Sequence, residues 1–171
     1  MIGVVLGNVF SLLAMGADTL SASRKTAKGV LWVQILGQLC YGASALALKG
    51  YSAVVQNVVS VFRNLCALYP RCPQWIYGAL VAAGVVFGIV FNNLGIIGWL
   101  PIIANLFYSA AVFVARGDAF ILKAAFLVLT LIFVVFNALI LNVVGAVGNV
   151  VVVITTGIYL VKEWKKRKAE V

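Results

Sequence analysis

YSAVVQNVVSVFRNLCALY, residues 51–69, is apolar enough to lie in a bilayer, yet it carries five polar side chains within nine positions. These are Gln56, Asn57, Ser60, Arg63 and Asn64. Residues 145–160 (GAVGNVVVVITTGIYL) show a related pattern, in which Asn149 follows Asn57 by 92 residues. An apolar helix with polar positions that occurs twice predicts a duplicated membrane protein with its functional site between the two copies.

The composition is typical of a polytopic membrane protein. Hydrophobic residues make up 64% of the 171 residues, charged residues only 10%, and the mean hydropathy is +1.13. A soluble domain averages about half apolar and a quarter charged residues, so one water-soluble core could not bury this excess. The net charge is +9, but the basic residues lie between and after the apolar segments. We therefore expect them to orient the chain in a membrane, and we expect no nucleic-acid partner.

The chain lacks the residue patterns of an enzyme or a metalloprotein. It contains no histidine, and its three cysteines, Cys40, Cys66 and Cys72, have no paired spacing. This argues against a disulfide framework and a zinc site, so we expect Cys66 and Cys72 to be free thiols. No nucleophile–base pair, nucleotide-binding glycine loop or metal-ligand cluster is recognisable. We therefore predict no enzymatic activity, no cofactor and no metal.

Seven segments are candidates for membrane-spanning helices, each of which needs about 20 mostly apolar residues. They are residues 2–17, 30–48, 51–69, 75–92, 95–115, 120–141 and 143–161. The connections between several of them are very short, which predicts antiparallel hairpins. The predicted fold class is an all-α membrane protein with seven transmembrane helices.

The basic residues predict the orientation of these helices. On one side of the membrane the connections contain only Lys49. The other side has eleven: Arg24, Lys25, Lys28, Arg71, Arg116, Lys123, Lys162, Lys165, Lys166, Arg167 and Lys168. Because cytoplasmic loops carry the excess of lysine and arginine, we expect the N-terminus outside and the C-terminus in the cytoplasm.

An internal repeat accounts for the odd number of helices. Residues 2–69 form the first three-helix repeat, residues 95–161 form the second, and the helix at 75–92 connects them. Two three-helix repeats with the same orientation need a single intervening crossing, which gives parallel repeats related by an axis along the membrane normal. We predict one transmembrane domain, residues 1–161, followed by a basic cytoplasmic tail, residues 162–171.

Polar side chains recur on one face of several predicted helices. Polar groups left unpaired in hydrocarbon cost several kcal/mol, so we expect these to face the bundle interior. One interpretation is that they only join helices, through hydrogen bonds worth about 0.6 kcal/mol each. The other is that Asn57 and Asn149 bind a solute near mid-membrane, because amides both donate and accept hydrogen bonds. The other residues predicted to line this cavity are Gln34, Gln38, Tyr41, Asn64, Thr130 and Asn137.

Arg63 has no basic counterpart in the second repeat. It either extends to the cytoplasmic surface or faces the cavity, where it would select the charge of a solute or close a gate. Asp18 and Asp118, placed at the cytoplasmic edge, are the candidate gate partners of Arg63. Local pairing of these carboxylates with Arg24 or Arg116 is the simpler alternative. No carboxylate or histidine lies inside a predicted helix, which favours facilitated diffusion over proton-driven transport.

The helix plan, with Asn57 and Asn149 in the third helix of each repeat, resembles the SWEET and PQ-loop superfamily. The sequence from Val30 to Asn64, VLWVQILGQLCYGASALALKGYSAVVQNVVSVFRN, looks most like the bacterial inner-membrane YgjV family. The resemblance implies a bacterial inner (cytoplasmic) membrane location. In sugar-carrying SWEET proteins the third helix of each repeat contributes a substrate-binding asparagine, a role that the resemblance assigns to Asn57 and Asn149. One departure is that the Pro-Gln dipeptide, Pro73-Gln74, lies at a loop edge.

These patterns predict a membrane transporter. It would be a uniporter or facilitator that passes a small polar solute, such as a sugar, nucleoside or vitamin-like compound, by alternating access between the two bundles. Two alternatives stay open: a receptor or sensor that captures a ligand without transport, and a scaffold subunit whose polar residues only join helices. The expected partners are the lipid bilayer and the solute, and assembly into a homo-oligomer is left open.

Overall fold

The computed structural model describes residues 2–69, 71–115, 117–140 and 142–169. In these ranges the chain forms seven α-helices and no β-strand, which confirms the all-helical prediction. The helices are α1 (Ile2–Ser23), α2 (Ala27–Ala47), α3 (Tyr51–Leu68), α4 (Gln74–Val90), α5 (Trp99–Ala115), α6 (Ala119–Leu139) and α7 (Val143–Ala169). A short 3₁₀ helix, Gly95–Gly98, leads into α5.

Among the described residues, five helical segments are long and apolar enough to cross a membrane. They are α1, α2, α5 together with its 3₁₀ turn, α6 and α7. The helix α4 is apolar but has only 17 residues. The helix α3 has 18 residues, and most of its buried side chains are polar. The two helices that fall below the criterion are therefore the short connector and the helix richest in buried polar groups.

Two helices extend further than their apolar sequence predicts. Instead of ending at residue 17, α1 continues to Ser23, and α7 continues through the basic segment to Ala169. The expected end of α1 is wrong because Asp18 interrupts the apolar sequence without interrupting the helix. As a result, Asp18 lies inside α1 and not at its edge.

Polar caps and tight turns set the helix ends. The Thr26 hydroxyl accepts a hydrogen bond from the Gly29 N–H (3.1 Å) and starts α2. At the other end of α2, Lys49 adopts a left-handed φ of 59°, and the Gly50 N–H donates to the Ala45 carbonyl (2.8 Å). Such short turns keep consecutive helices side by side.

Six helices form a ring, and α4 lies outside it. Around the ring the neighbours are α1, α2, α3, α5, α6 and α7, and α7 packs back against α1. The helix α4 packs against α3 and α5. Large apolar side chains such as Trp32 (56% exposed) and Trp75 (73% exposed) face outward, whereas many polar side chains are buried. This is the reverse of a water-soluble protein and is what hydrocarbon surroundings require.

Cys66 and Cys72 are joined in a disulfide, with their Cα atoms 5.5 Å apart. In this structure they are therefore not the free thiols expected from the sequence. Because α3 ends at Leu68, the chain turns back, and the Cys72 N–H donates to the Tyr69 carbonyl (3.0 Å), which brings the two side chains together. Cys40 is a free thiol.

Candidate functional site: a polar cavity inside the helix ring

All six ring helices contribute side chains to one polar cavity. It encloses about 730 Å³ free of protein atoms, part of it continuous with the outside. Seven of the predicted site residues line it: Asp18, Gln38, Tyr41, Asn57, Thr130, Asn137 and Asn149. Gln34, Arg63, Asn64 and Asp118 are not among the lining residues.

The two asparagines that lie 92 residues apart both reach the cavity, and each makes a hydrogen bond. Asn57 Nδ2 donates to the Ala53 carbonyl (2.8 Å), and Asn149 Oδ1 accepts from the Tyr41 hydroxyl (3.1 Å). A carboxamide has two N–H donors and a carbonyl oxygen with two lone pairs. One hydrogen bond therefore leaves each amide with further positions that could bind a solute.

Asn137 lies where α6 connects to α7. Asn142 Nδ2 donates to Asn137 Oδ1 (3.0 Å), and Asn142 Oδ1 accepts from the Gly145 N–H (3.1 Å). A Cβ at Gly145 would lie 2.5 Å from Asn142 Nδ2, so a glycine is needed for this close approach. Thr130, deeper in the same helix, donates to the Phe126 carbonyl (2.7 Å).

Arg63 lies in a separate buried network between α3 and α5. Its side chain is fully buried, and Nη1 donates to Asn105 Oδ1 (2.5 Å) and Ser109 Oγ (3.1 Å). Nε and Nη2 each donate to Asn64 Oδ1 at 3.1 Å. The guanidinium carbon also lies 4.7 Å from the centre of the Tyr108 ring. Neutral acceptors and an aromatic face thus surround a charge that is usually paired with a carboxylate when buried.

The predicted gate pairs are wrong. Arg63 is held by α3 and α5, and it neither pairs with Asp18 or Asp118 nor extends to the surface. Asp118 caps α6 and forms an ion pair with Arg167 of α7 (3.1 Å). The hydrogen bond from Arg167 holds the pKa of the Asp118 carboxyl below its ordinary value. Arg116, the alternative local partner, lies outside the described residues.

Gln34 and Asn64 are fully buried beside Arg63, away from the cavity. The Tyr108 hydroxyl donates to Gln34 Oε1 (2.8 Å). Gln34 Nε2 and Asn64 Nδ2 are buried without a hydrogen-bond partner. The structure therefore places these two amides in the network that joins helices.

Lys123 is also buried, although the charge count assigned it to a connection. It lies in α6 and is 1% exposed. Its Nζ donates to the Arg24 carbonyl (2.5 Å) and lies 3.1 Å from the centre of the Tyr159 ring. Lys123 therefore ties the start of α6 to the α1–α2 connection and to α7.

Asn105 of α5 connects the Arg63 network to the cavity, which it also lines. Asn105 Nδ2 donates to Gln56 Oε1 (2.7 Å), and Asn105 Oδ1 accepts from the Ser60 hydroxyl (2.8 Å). Gln56 Nε2 in turn donates to the Gly84 carbonyl of α4 (2.6 Å). Asn105 was not predicted from the sequence. The available signal was a lone carboxamide in a mostly apolar helix.

Asp18 lies inside α1, is 3% exposed and lines the cavity. Within the described part of the chain its Oδ1 has no hydrogen-bond partner, and the Tyr41 side chain interacts with the carboxylate. A Cβ at Gly37 of α2 would lie 2.8 Å from Asp18 Oδ1, so this glycine makes room for the carboxylate. The prediction that no helix contains a carboxylate is wrong, and it no longer argues against proton coupling.

Comparison with protein-family models gives a match over most of the chain. A family model described as a bacterial inner membrane protein, Imp-YgjV, matches residues 5–167. This range runs from the first turn of α1 to the basic end of α7 and includes every residue that lines the cavity. No curated protein and no solved structure matches the chain significantly.

Proposed function

The chain belongs to the Imp-YgjV family of bacterial inner membrane proteins, and we propose that it carries a small polar solute across that membrane. In this proposal the bundles α1–α3 and α5–α7 give alternating access to the cavity, and α4 connects them, as in SWEET-like transporters. Sugars, nucleosides and vitamin-like compounds present the hydroxyl and amide groups that the lining carboxamides would bind. Asn57 and Asn149 are the residues proposed to hold the solute.

The observation that carries the proposal is the match between the two walls of the cavity. Seven lining positions of the first repeat have counterparts 92 residues further on that also line it. The pairs are Gln38 and Thr130, Tyr41 and Phe133, Ser44 and Phe136, Ala45 and Asn137, Leu48 and Ile140, Gly50 and Asn142, and Asn57 and Asn149. A site shared in this way lies where movement of one repeat against the other would open it to either side.

The backbone and the helix contacts support the same division. The Gly50 N–H donates to the Ala45 carbonyl (2.8 Å), and the equivalent Asn142 N–H donates to the Asn137 carbonyl (2.9 Å). The N-cap residues of α2 and α6 are equivalent positions too. In the ring, α1 meets α7 as α5 meets α3. These repeated features favour two bundles that move as units.

The size of the cavity favours a mechanism in which it opens. The centres of water molecules can occupy about 60 Å³ of it. This is room for a small cluster of waters, and we expect a bulkier solute such as a nucleoside to enter when the bundles part.

A thermal-stability screen of the purified protein tests the proposal. The panel contains sugars, nucleosides, vitamins, amino acids and organic anions. A solute at a hundredfold excess over its Kd should add about 2.7 kcal/mol to the free energy of unfolding. We expect at least one such compound. Its effect should disappear in Asn57→Ala and in Asn149→Ala, while both variants stay folded, because each loses an amide that contacts the solute.

The matched control is Asn93→Ala. Its amide donates to the Lys49 carbonyl (2.8 Å) in an exposed connection, so this variant should keep the full solute effect. Asn57→Ala and Asn149→Ala variants that still bind and transport normally would contradict the proposed site. Reaction of cysteines introduced into the cavity from one face only would favour a receptor. A screen in which no compound stabilises the protein would favour a scaffold subunit whose polar residues only join helices.

A further inference from the structure

Asp18 lines the cavity but is not among the residues proposed to hold the solute. It is nearly fully buried, and its Oδ1 has no hydrogen-bond partner among the residues that the structure describes. An ionised carboxylate is costly to bury without a partner, so such a group binds a proton or pairs with a cation. The groups around Asp18 decide between a proton and a cation.

Among the described residues, no cationic side chain forms an ion pair with Asp18. The titratable groups close enough to act on it are the Tyr41 hydroxyl and the Cys40 thiol of α2 and the Tyr108 phenol of α5. Asp18 is the one titratable side chain in the sequence of α1, and α7 has none between Val143 and Ile158. The elements packed around the carboxylate therefore supply neutral groups.

The two buried basic side chains of the ring are held by other partners. Arg63 is bonded to acceptors on α3 and α5, and Lys123 to the Arg24 carbonyl and the Tyr159 ring. Asp18 takes part in none of the ion pairs between described residues. With these side chains held elsewhere, a proton taken up from water in the cavity can neutralise it.

Tyr41 connects Asp18 to Asn149. Its hydroxyl has a single proton, which it donates to Asn149 Oδ1 (3.1 Å), while its oxygen can accept a hydrogen bond from a protonated Asp18. An ionised Asp18 would instead compete for the Tyr41 proton, because a charge-assisted hydrogen bond is about twice as strong as a neutral one. Loss of the proton from Asp18 therefore releases Asn149 Oδ1 to accept a hydrogen bond from a solute.

We propose that Asp18 is a proton-binding site whose occupancy Tyr41 transmits to Asn149, so that a proton and the solute bind in alternation. The proton leaves Asp18 for water on the side to which the cavity is open. The Tyr41 hydroxyl then donates to the ionised carboxylate, and a solute O–H or N–H replaces it as donor to Asn149. By linkage, each then weakens the binding of the other. The solute part rests on the proposed function and gives proton–solute exchange in place of facilitated diffusion.

Infrared difference spectra of the purified full chain, recorded between about pH 6 and alkaline pH, test proton binding with the proton as the sole probe. Ordinary carboxyl groups, with pKa values of about 4, stay ionised over this range. We expect the carbonyl stretching band of a protonated carboxyl group. Asp18→Asn should abolish it, and Asp118→Asn, which removes a surface carboxylate paired with Arg167, should not. A wild type without the band, or a band that survives in Asp18→Asn, overturns the proposal. If Asp18→Asn does not fold, Asp18→Glu must shift the band, and an unchanged band overturns it.

A double-mutant cycle tests the transmission. In Asn149→Ala the Tyr41 proton has no competing acceptor, so the midpoint of the Asp18 band should move to lower pH by roughly half a unit to one unit. In a Tyr41→Phe background the same substitution should move nothing. A shift that persists there overturns the coupling. These measurements need no solute. If they show the coupling while no compound in the screen stabilises the protein, the result contradicts the proposed function and leaves the proton-binding proposal standing.

Discussion

At the scale of the residue, the polar side chains in the bundle fall into two groups that the sequence does not separate. Asn57 and Asn64 both lie on α3, seven residues apart and on the same helix face. Asn57 lines the cavity, whereas Asn64 accepts two hydrogen bonds from Arg63. The difference comes from α5, which presents Asn105 and Ser109 to the arginine. Pairing across such a sequence distance could not be predicted from local pattern.

Arg63→Ala should destabilise the protein strongly. The substitution removes the donors that Asn64, Asn105 and Ser109 use, and leaves buried acceptors unpaired. We expect a loss of about 3–5 kcal/mol in the free energy of unfolding, as for other broken buried charge networks. Arg63→Lys should be less stable than the wild type and more stable than Arg63→Ala, because one ammonium group cannot reach all the acceptors that the guanidinium group binds. Chemical denaturation in detergent measures both.

The control for this substitution is Arg71→Ala. Arg71 is exposed in the connection between α3 and α4, so its loss should change stability by no more than about 0.5 kcal/mol. Equal effects of the two alanine substitutions would show that Arg63 does not hold α3 and α5 together.

At the scale of the element, glycines set how closely α4 approaches its neighbours. A Cβ at Gly88 would overlap Gln56 Nε2 and lie 2.9 Å from Ile102 Cγ1. At Gly78, in the same helix, no atom lies within 4 Å of the added Cβ. Gly88→Ala should therefore cost about 1–3 kcal/mol through overpacking, because Gln56 must give up its hydrogen bond to Gly84. Thermal unfolding in detergent measures the loss.

Gly78→Ala is the matched control for this helix. It should leave stability unchanged or raise it by up to about 1 kcal/mol, since alanine is the better helix former. If Gly88→Ala is as harmless as Gly78→Ala, the close packing of α4 on α3 is not required for stability.

The helices themselves were largely predictable, since hydropathy falls sharply at most of the connections. The sequence-based segments for α2, α3 and α6 end within a few residues of the observed ends. The α1 boundary was missed because a polar residue that faces a cavity looks like a loop residue in a hydropathy profile. The Cys66–Cys72 contact was missed because it depends on the turn after Leu68.

At the scale of the whole molecule, the spacing of 92 residues predicted one pair of positions that line the cavity, Asn57 with Asn149. It did not predict that Asn105 lines the cavity or that Asp18 is buried there. These residues lie on α5 and α1 and have no polar counterpart at the same spacing. The paired asparagines supply amides, and Asp18 adds a carboxylate. The sequence pattern was therefore a guide to where the cavity lies and not to its electrostatics.

Two features of the chain make opposite predictions about the orientation of the whole molecule in the membrane. A disulfide such as Cys66–Cys72 persists in an oxidising compartment like the periplasm, whereas the lysine and arginine distribution places the same connection in the cytoplasm. We expect the charge distribution to decide, because the reverse orientation would carry the basic connections and the whole basic end of α7 across the membrane.

In cells the two thiols should then be reduced, and they should form the disulfide on oxidation of the purified protein, since their Cα atoms are 5.5 Å apart. In a Cys40→Ala background, a membrane-impermeant maleimide should label them in inverted membrane vesicles and not in intact spheroplasts. Labelling of spheroplasts that appears after reduction would reverse the orientation. It would place the C-terminus outside, and it would turn the direction of the proposed proton–solute exchange around.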